Sequence, residues 1–366
     1  MATYTTFDET NDIVESIDRV FASAWSGNNN DLGNIDGFLD GFFSSSNQYI
    51  TNTATSSGAF FMEIYDKPPT GTSADDTAEV QFSIAFGSQT GIGGLDFNDD
   101  VGAENISATK AIYSQYRNLV FGGDETQNFT FDGHTPDGIY VINVNRSRYK
   151  NALRLGNFNL TLSSSVSNVG HLRLLKLTDD SVTTSGSANA FRAGVGREFN
   201  IVSGSSGIRK GTSNTFVTNS GSYGFIYPDA GFIILNADAL DNSGSLEDAN
   251  YGINLASEDS NDTAGKNPQK LQDLLSNFIL DSSENIASQF YFCRIKNRDF
   301  NYTNNASFAK TDGTLQFDSM IDNPRTYITT VGLYNDNQDL LAVAKLSQPL
   351  PKDFTKEALI KVKLDY

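Results

Sequence analysis

The first place to look for chemistry is the histidines, and there are two, His134 and His171. Neither stands near a cysteine or at the helical spacing that pairs two imidazoles on one zinc ion. Each reads as structural, His134 in a turn and His171 at a strand. No G-x-S-x-G motif occurs, so a nucleophilic serine on a sharp strand-to-helix turn has no support. A Ser–His–Asp arrangement assembled from distant parts of the chain stays open. Asp96, Asn98 and Asp100 resemble the opening of a calcium loop. That loop needs glycine at its sixth position and glutamate at its twelfth, where Val101 and Ser107 stand instead. Gly87 to Gly94 is glycine-rich, but no basic residue follows it at the spacing of a phosphate cradle. Cys293 is the only cysteine, which rules out an internal disulfide and a cysteine metal site and fits folding in a reducing cytoplasm. Among 44 acidic residues nothing selects a carboxylate pair for glycoside hydrolysis. The side chains therefore point to no catalytic residue, cofactor or metal, and the expectation is a protein that is not an enzyme.

Charge narrows the partners. With 26 basic against 44 acidic residues the net charge is −18, which repels phosphate backbones and disfavours nucleic acid. The basic stretches Arg146–Lys150 and Arg294–Arg298 flank strands and are expected to pair with the surrounding acidic excess. The polar, acidic N-terminus lacks the pattern of a signal peptide, and the apolar runs are too short to cross a bilayer as helices, so no membrane role is expected. A chain of 366 residues exceeds one ordinary domain. The 26 Phe and 15 Tyr beside 31 Gly fit β-structure with long polar connections, and aromatics also serve protein contacts.

The elements follow from periodicity. Strict alternation predicts strands at Val80–Phe86, Phe158–Leu162 and Ile360–Tyr366, and continuous β-prone runs predict others at Phe60–Tyr65, Ile139–Val144, Leu172–Leu177 and Tyr291–Ile295. Phe225–Tyr227 and Phe232–Leu235 flank a Pro-Asp-Ala-Gly turn, and Tyr327–Tyr334 and Leu340–Leu346 flank an Asn/Asp-rich one, so both pairs read as hairpins. Helical spacing predicts helices over Asp8–Trp25, from a cap at Ser107 to Leu119, and over Lys266–Leu280, with a further short one around Phe38–Phe43. Asp179–Ala190 is expected to be an exposed loop and Asp241–Gly265 irregular. The expected fold class is mainly β, with β-sandwich-like sheets, a few α-helices and an N-terminal helical arm. The expected divisions are an arm over 1–56, a β-rich domain over 57–165, and a second over 166–366.

Four stretches carry a resemblance: Gly138–Leu162 (GIYVINVNRSRYKNALRLGNFNLTL), Tyr223–Leu240 (YGFIYPDAGFIILNADAL), Cys293–Phe308 (CRIKNRDFNYTNNASF), and Thr326–Phe354 with its VGLYNDNQDLLAVA core. They are similar to virion structural proteins of contractile-tailed bacteriophages, especially those of marine cyanophages, over about residues 108–366. The resemblance implies a structural subunit of the tail, at the baseplate or its periphery, in symmetric copies among other virion proteins. It implies made-in-host, virion-located protein and carries no catalytic residue. Neck, collar or tail-fibre-anchoring positions, a capsid-decorating role, and a tail protein binding host glycans are the alternatives. Trp25, Phe42 and Phe43 are candidate interface anchors because their segment is too short to bury them, and Tyr327, Tyr334 and Tyr366 join them from the C-terminal strands. On this reading Met1–Trp25 is removable without loss of the fold.

Overall fold

The computed structural model describes residues 4–25, 61–66, 75–93, 108–165, 172–210, 222–241, 252–257 and 266–366. In chain order the elements are α1 (Glu9–Asp12), β1 (Ile13–Ser23), β2 (Phe61–Tyr65), β3 (Val80–Ser88), α2 (Ala108–Phe121), β4 (Gly138–Val144), β5 (Ala152–Leu153), β6 (Asn159–Ser165) and β7 (Leu172–Asp179). Then come β8 (Ala190–Arg192), β9 (Gly196–Ser205), β10 (Ile208–Arg209), β11 (Gly224–Tyr227), β12 (Phe232–Asn236), α3 (Ala237–Asp241), α4 (Lys266–Leu274) and β13 (Leu275–Ile279). The chain closes with β14 (Asp281–Ile295), β15 (Thr326–Tyr334), β16 (Leu340–Lys352) and β17 (Ala358–Asp365). The fold is mainly β, with large antiparallel sheets. It divides into unit 1, residues 1–19 with 285–366, and unit 2, residues 20–284, so the chain passes between them within β1 and again within β14.

Unit 2 is built on one sheet, in the order β13-β6-β7-β9-β11-β12-β4-β3-β2, with β8 and β10 added on β9. The β-prone runs explain its layering. On β4, Tyr140 and Ile142 enter one apolar cluster while Ile139 and Val141 enter another. Ile233 and Leu235 of β12 go with the first pair, Phe232 and Ile234 with the second. Strands buried on both faces must be apolar throughout, which is why these runs do not alternate. The second cluster lies under α2, whose Tyr113 and Val120 are buried in it. The first cluster gathers strands from opposite ends of the sheet. The rings of Phe82 on β3 and Phe278 on β13 stand 5.3 Å apart, so the sheet curls until its two ends share one core.

The hairpin at Pro228–Gly231 forms as the turn residues predict, pairing Tyr227 with Phe232. Other expectations are corrected. The segment Asp8–Trp25 is a four-residue helix capped by the Asp8 side chain, followed by an eleven-residue strand. Its Ile13, Val14, Ile17 and Val20 are β-branched, a bias that helical spacing alone conceals. Likewise the helix expected over Lys266–Leu280 stops at Leu274, and Leu275–Ile279 pairs antiparallel with β6. Within the expected exposed loop, Asp179, Asp180 and Ser181 are buried. The Asp179 carboxylate accepts from the Gly156 amide at 2.9 Å and from the Ser181 hydroxyl. A domain boundary at 165/166 would cut a continuous sheet, because β4 pairs with β12 and β6 with β7. The boundary at 56/57, Ser107, Phe38–Phe43, the calcium-like stretch from Asp96 and most of Asp241–Gly265 lie outside the described residues.

Candidate functional site

Two polar clusters in unit 2 are the nearest approach to a reactive centre. His134 Nε2 lies 2.7 Å from Asp238 Oδ2, joining the turn before β4 to α3. His171 lies outside the described residues. Glu198 on β9 is fully buried. Its carboxylate accepts from Asn189 Nδ2 at 2.7 Å, Arg192 Nε at 2.9 Å and the Tyr227 hydroxyl at 2.9 Å. Burial first, and the Glu198 charge second, push the Tyr227 phenol well above its ordinary value. With its oxygens so occupied, Glu198 has no free face to offer a substrate, and the network serves to bury β8 and β9 together. Sequence reasoning missed this cluster, since its members are scattered and carry no motif. No group of three or more metal-ligating side chains occurs among the described residues. No helix among them is long and apolar enough to cross a membrane.

Unit 1 presents a different kind of surface. Both apolar clusters belong wholly to unit 2. Unit 1 buries Ile295, Phe308, Ala309, Leu333 and Val362, a small core for its length. Against this, Ile17, Phe317, Ile321, Tyr327, Leu341, Val343 and Tyr366 are among its exposed large apolar side chains. Unit 2 also exposes large apolar side chains, among them Val182, Phe191 and Ile208, but it sets them beside two extensive buried clusters that unit 1 does not share.

The local reasons are clear in the strands. In the sheet β1-β14-β17, the inner face of β17 is Ile360, Val362 and Leu364, as the alternation predicts, and Lys361 and Lys363 point to the other side. There Lys361 Nζ sits 3.8 Å above the Phe290 ring, so the lysine covers an aromatic on its neighbour strand. Tyr366 continues β17, its amide donating to Ala287 O and its hydroxyl to Gln289 Oε1, both at 2.9 Å, with the ring exposed.

β15 and β16 form a sheet of two strands. One face, with Val331, Leu333, Ala342, Ala344 and Leu346, is buried or half-buried. The opposite face pairs Gly332 with Val343 and Thr330 with Lys345 across the strands, and it is exposed. Tyr334 lies over the bare backbone of Gly332, where an added Cβ would come within 2.9 Å of its ring. The Tyr4 ring meets Tyr334 edge-on, centroids 5.1 Å apart. The result is an exposed face with Tyr334 and Val343 flanked by Thr330 and Lys345, on a two-stranded ribbon, an arrangement with little stability of its own.

The candidate anchors thus separate. Tyr327, Tyr334 and Tyr366 are exposed on unit 1. Trp25 is buried within unit 2, against Phe82 and Phe278, and its indole N–H donates to Phe278 O at 3.0 Å. It is a core residue and is corrected as an interface anchor: the curled sheet supplies the pocket that its own segment could not. Phe42 and Phe43 lie outside the described residues. No family model, curated protein or solved structure matches the chain.

Proposed function

We propose that this chain is a non-enzymatic structural subunit of a bacteriophage virion, working by protein–protein assembly in the tail, at the baseplate or its periphery. The observation that carries the reading is the exposed apolar surface of unit 1, above all the β15–β16 ribbon with Tyr327, Tyr334, Leu341 and Val343. Unit 2 buries its apolar side chains in two clusters, whereas those of the ribbon lie outside, on a surface that gains most when a partner covers it. The similarity of Thr326–Phe354 to phage virion proteins falls on this same ribbon. The charge of −18 supports protein partners over the packaged nucleic acid, whose phosphates it repels.

The test is antibody labelling. Antibody against the purified chain, with gold-conjugate imaging of phage particles from lysates of cells that make it, is expected to decorate the tail at one level. Particles that carry none of the chain, by labelling and by mass spectrometry, would overturn the reading.

A further inference from the structure

We infer that the exposed face of the β15–β16 hairpin packs against the same face of a second copy of this chain, the two hairpins antiparallel about a two-fold axis. The inference rests on the structural-subunit reading and names one partner for it.

Three observations select a second copy. The first is charge. Unit 2 carries thirty acidic against fifteen basic side chains, unit 1 fourteen against eleven. Two copies meeting through unit 2 would bring two strongly negative surfaces together, whereas unit 1 is nearly balanced and is the part where self-association meets least repulsion.

The second is the pattern along the hairpin. Its tip carries Asp336 and Asp339, its exposed face carries Lys345 further down β16, and Tyr334 and Val343 lie between. Lys345 and Asp336 form no ion pair among the described residues. Six residues of strand separate Asp339 from Lys345, about 20 Å at the strand rise. Turning a second hairpin end for end brings its acidic tip over Lys345 and its own Lys345 over the first tip. The apolar centres then meet, and the two-fold axis makes the ion contact twice.

The third is the form of the surface. Pro349 and Pro351 interrupt the edge of β16, which hinders strand addition there. Tyr334, lying over Gly332 and braced by Tyr4, gives that face an aromatic ring between the tip and Val343.

Sedimentation of the full chain over a wide range of concentration is the test. A monomer–dimer equilibrium is expected, and Val343→Lys should abolish it without changing the circular dichroism spectrum. Lys345→Asp and Asp336→Lys should each weaken the dimer roughly tenfold, since the axis counts each change twice. Combining the two substitutions should recover most of the loss. A monomer at every concentration, a Val343→Lys dimer as tight as the parent, or a double variant no tighter than either single one would overturn the inference. So would a hairpin protected from hydrogen exchange only inside particles, which assigns the face to a different virion protein. A monomer that still labels particles removes this contact alone, and a dimer absent from particles removes the virion reading alone.

Discussion

Lys352 Nζ lies 2.9 Å from Asn301 Oδ1, buried at the foot of β16. Its other donors go to Asn297 O at 2.7 Å and Asp353 O at 3.0 Å. Three neutral acceptors satisfy one ammonium, so this lysine fastens the exposed ribbon to the turn that follows β14. Lys352→Met keeps the aliphatic stem and strands two buried acceptors and a partly exposed one, which costs about 2–4 kcal/mol. Hydrogen exchange should then quicken along β15 and β16 while unit 2 is unchanged. Equal exchange in both proteins would count against a fastening role.

Trp25 predicts the reverse distribution. Its ring fills the space between Phe82 and Phe278, so Trp25→Ala removes both a large apolar volume and the donor to Phe278 O, and about 3–5 kcal/mol is expected in urea unfolding. Met1–Trp25 is therefore not removable as an independent arm. Deleting it takes away β1 and this ring, and the truncated chain is expected to unfold at lower denaturant than the full one. An unchanged midpoint would show that the core closes without the tryptophan.

Gly231 ends the turn between β11 and β12 with φ of +77°, and a Cβ there would stand 2.3 Å from the Tyr149 hydroxyl oxygen. Left-handed backbone alone costs a β-carbon about 1–2 kcal/mol. Tyr149 cannot simply withdraw, because its hydroxyl donates to Ala230 O at 3.0 Å. Gly231→Ala should therefore cost more than the backbone term, since Tyr149 Cζ and Cε1 would stand at 2.4 and 2.5 Å as well, and Tyr149→Ala in the same background removes this steric part. If Gly231→Ala is neutral by thermal unfolding, the turn has room that this geometry denies.

These residues show what was legible in the sequence. The Pro-Asp-Ala-Gly turn, the continuous runs of β4, β11 and β12 and the alternation of β17 are local signals, and each produced the element it predicted. β1 and β13 carry short apolar spacings that fit both the helical and the strand period, and partners far along the chain decide for the strand. The Trp25 donor and its acceptor are 253 residues apart. No window of sequence contains both, so burial of that ring was invisible while its aromatic character was plain. The exposed face of β15 and β16 was half legible. Tyr327 and Tyr334 could be picked by type, but only the pairing of Gly332 with Val343 decides which side chains share the open face.

Unit 1 is assembled from both ends of the chain, and its acid response should begin where they meet. Arg294 Nε on β14 donates to Asp12 Oδ1 at 2.6 Å, at the last residue of α1. That hydrogen bond, helped by the Asp8 amide, holds the Asp12 carboxyl below its ordinary value of 3.8. A carboxyl depressed in the folded state stabilises it in full above the unfolded value and loses that contribution as pH falls through the folded one. Asp353 and Asp365, lowered first by hydrogen bonds from Thr355 and Ser288 respectively, lie in the same unit and titrate in the same direction. Comparison with Asp12→Asn isolates the first contact. Amide protection of residues 9–19 should hold at neutral pH and collapse below 3.8 in the parent chain, ahead of unit 2. In Asp12→Asn it should already be weak at neutral pH and change little on acidification. Identical acid profiles for the two proteins would mean that Arg294 does not anchor the N-terminal segment, and that β1 is held by its strand pairing alone.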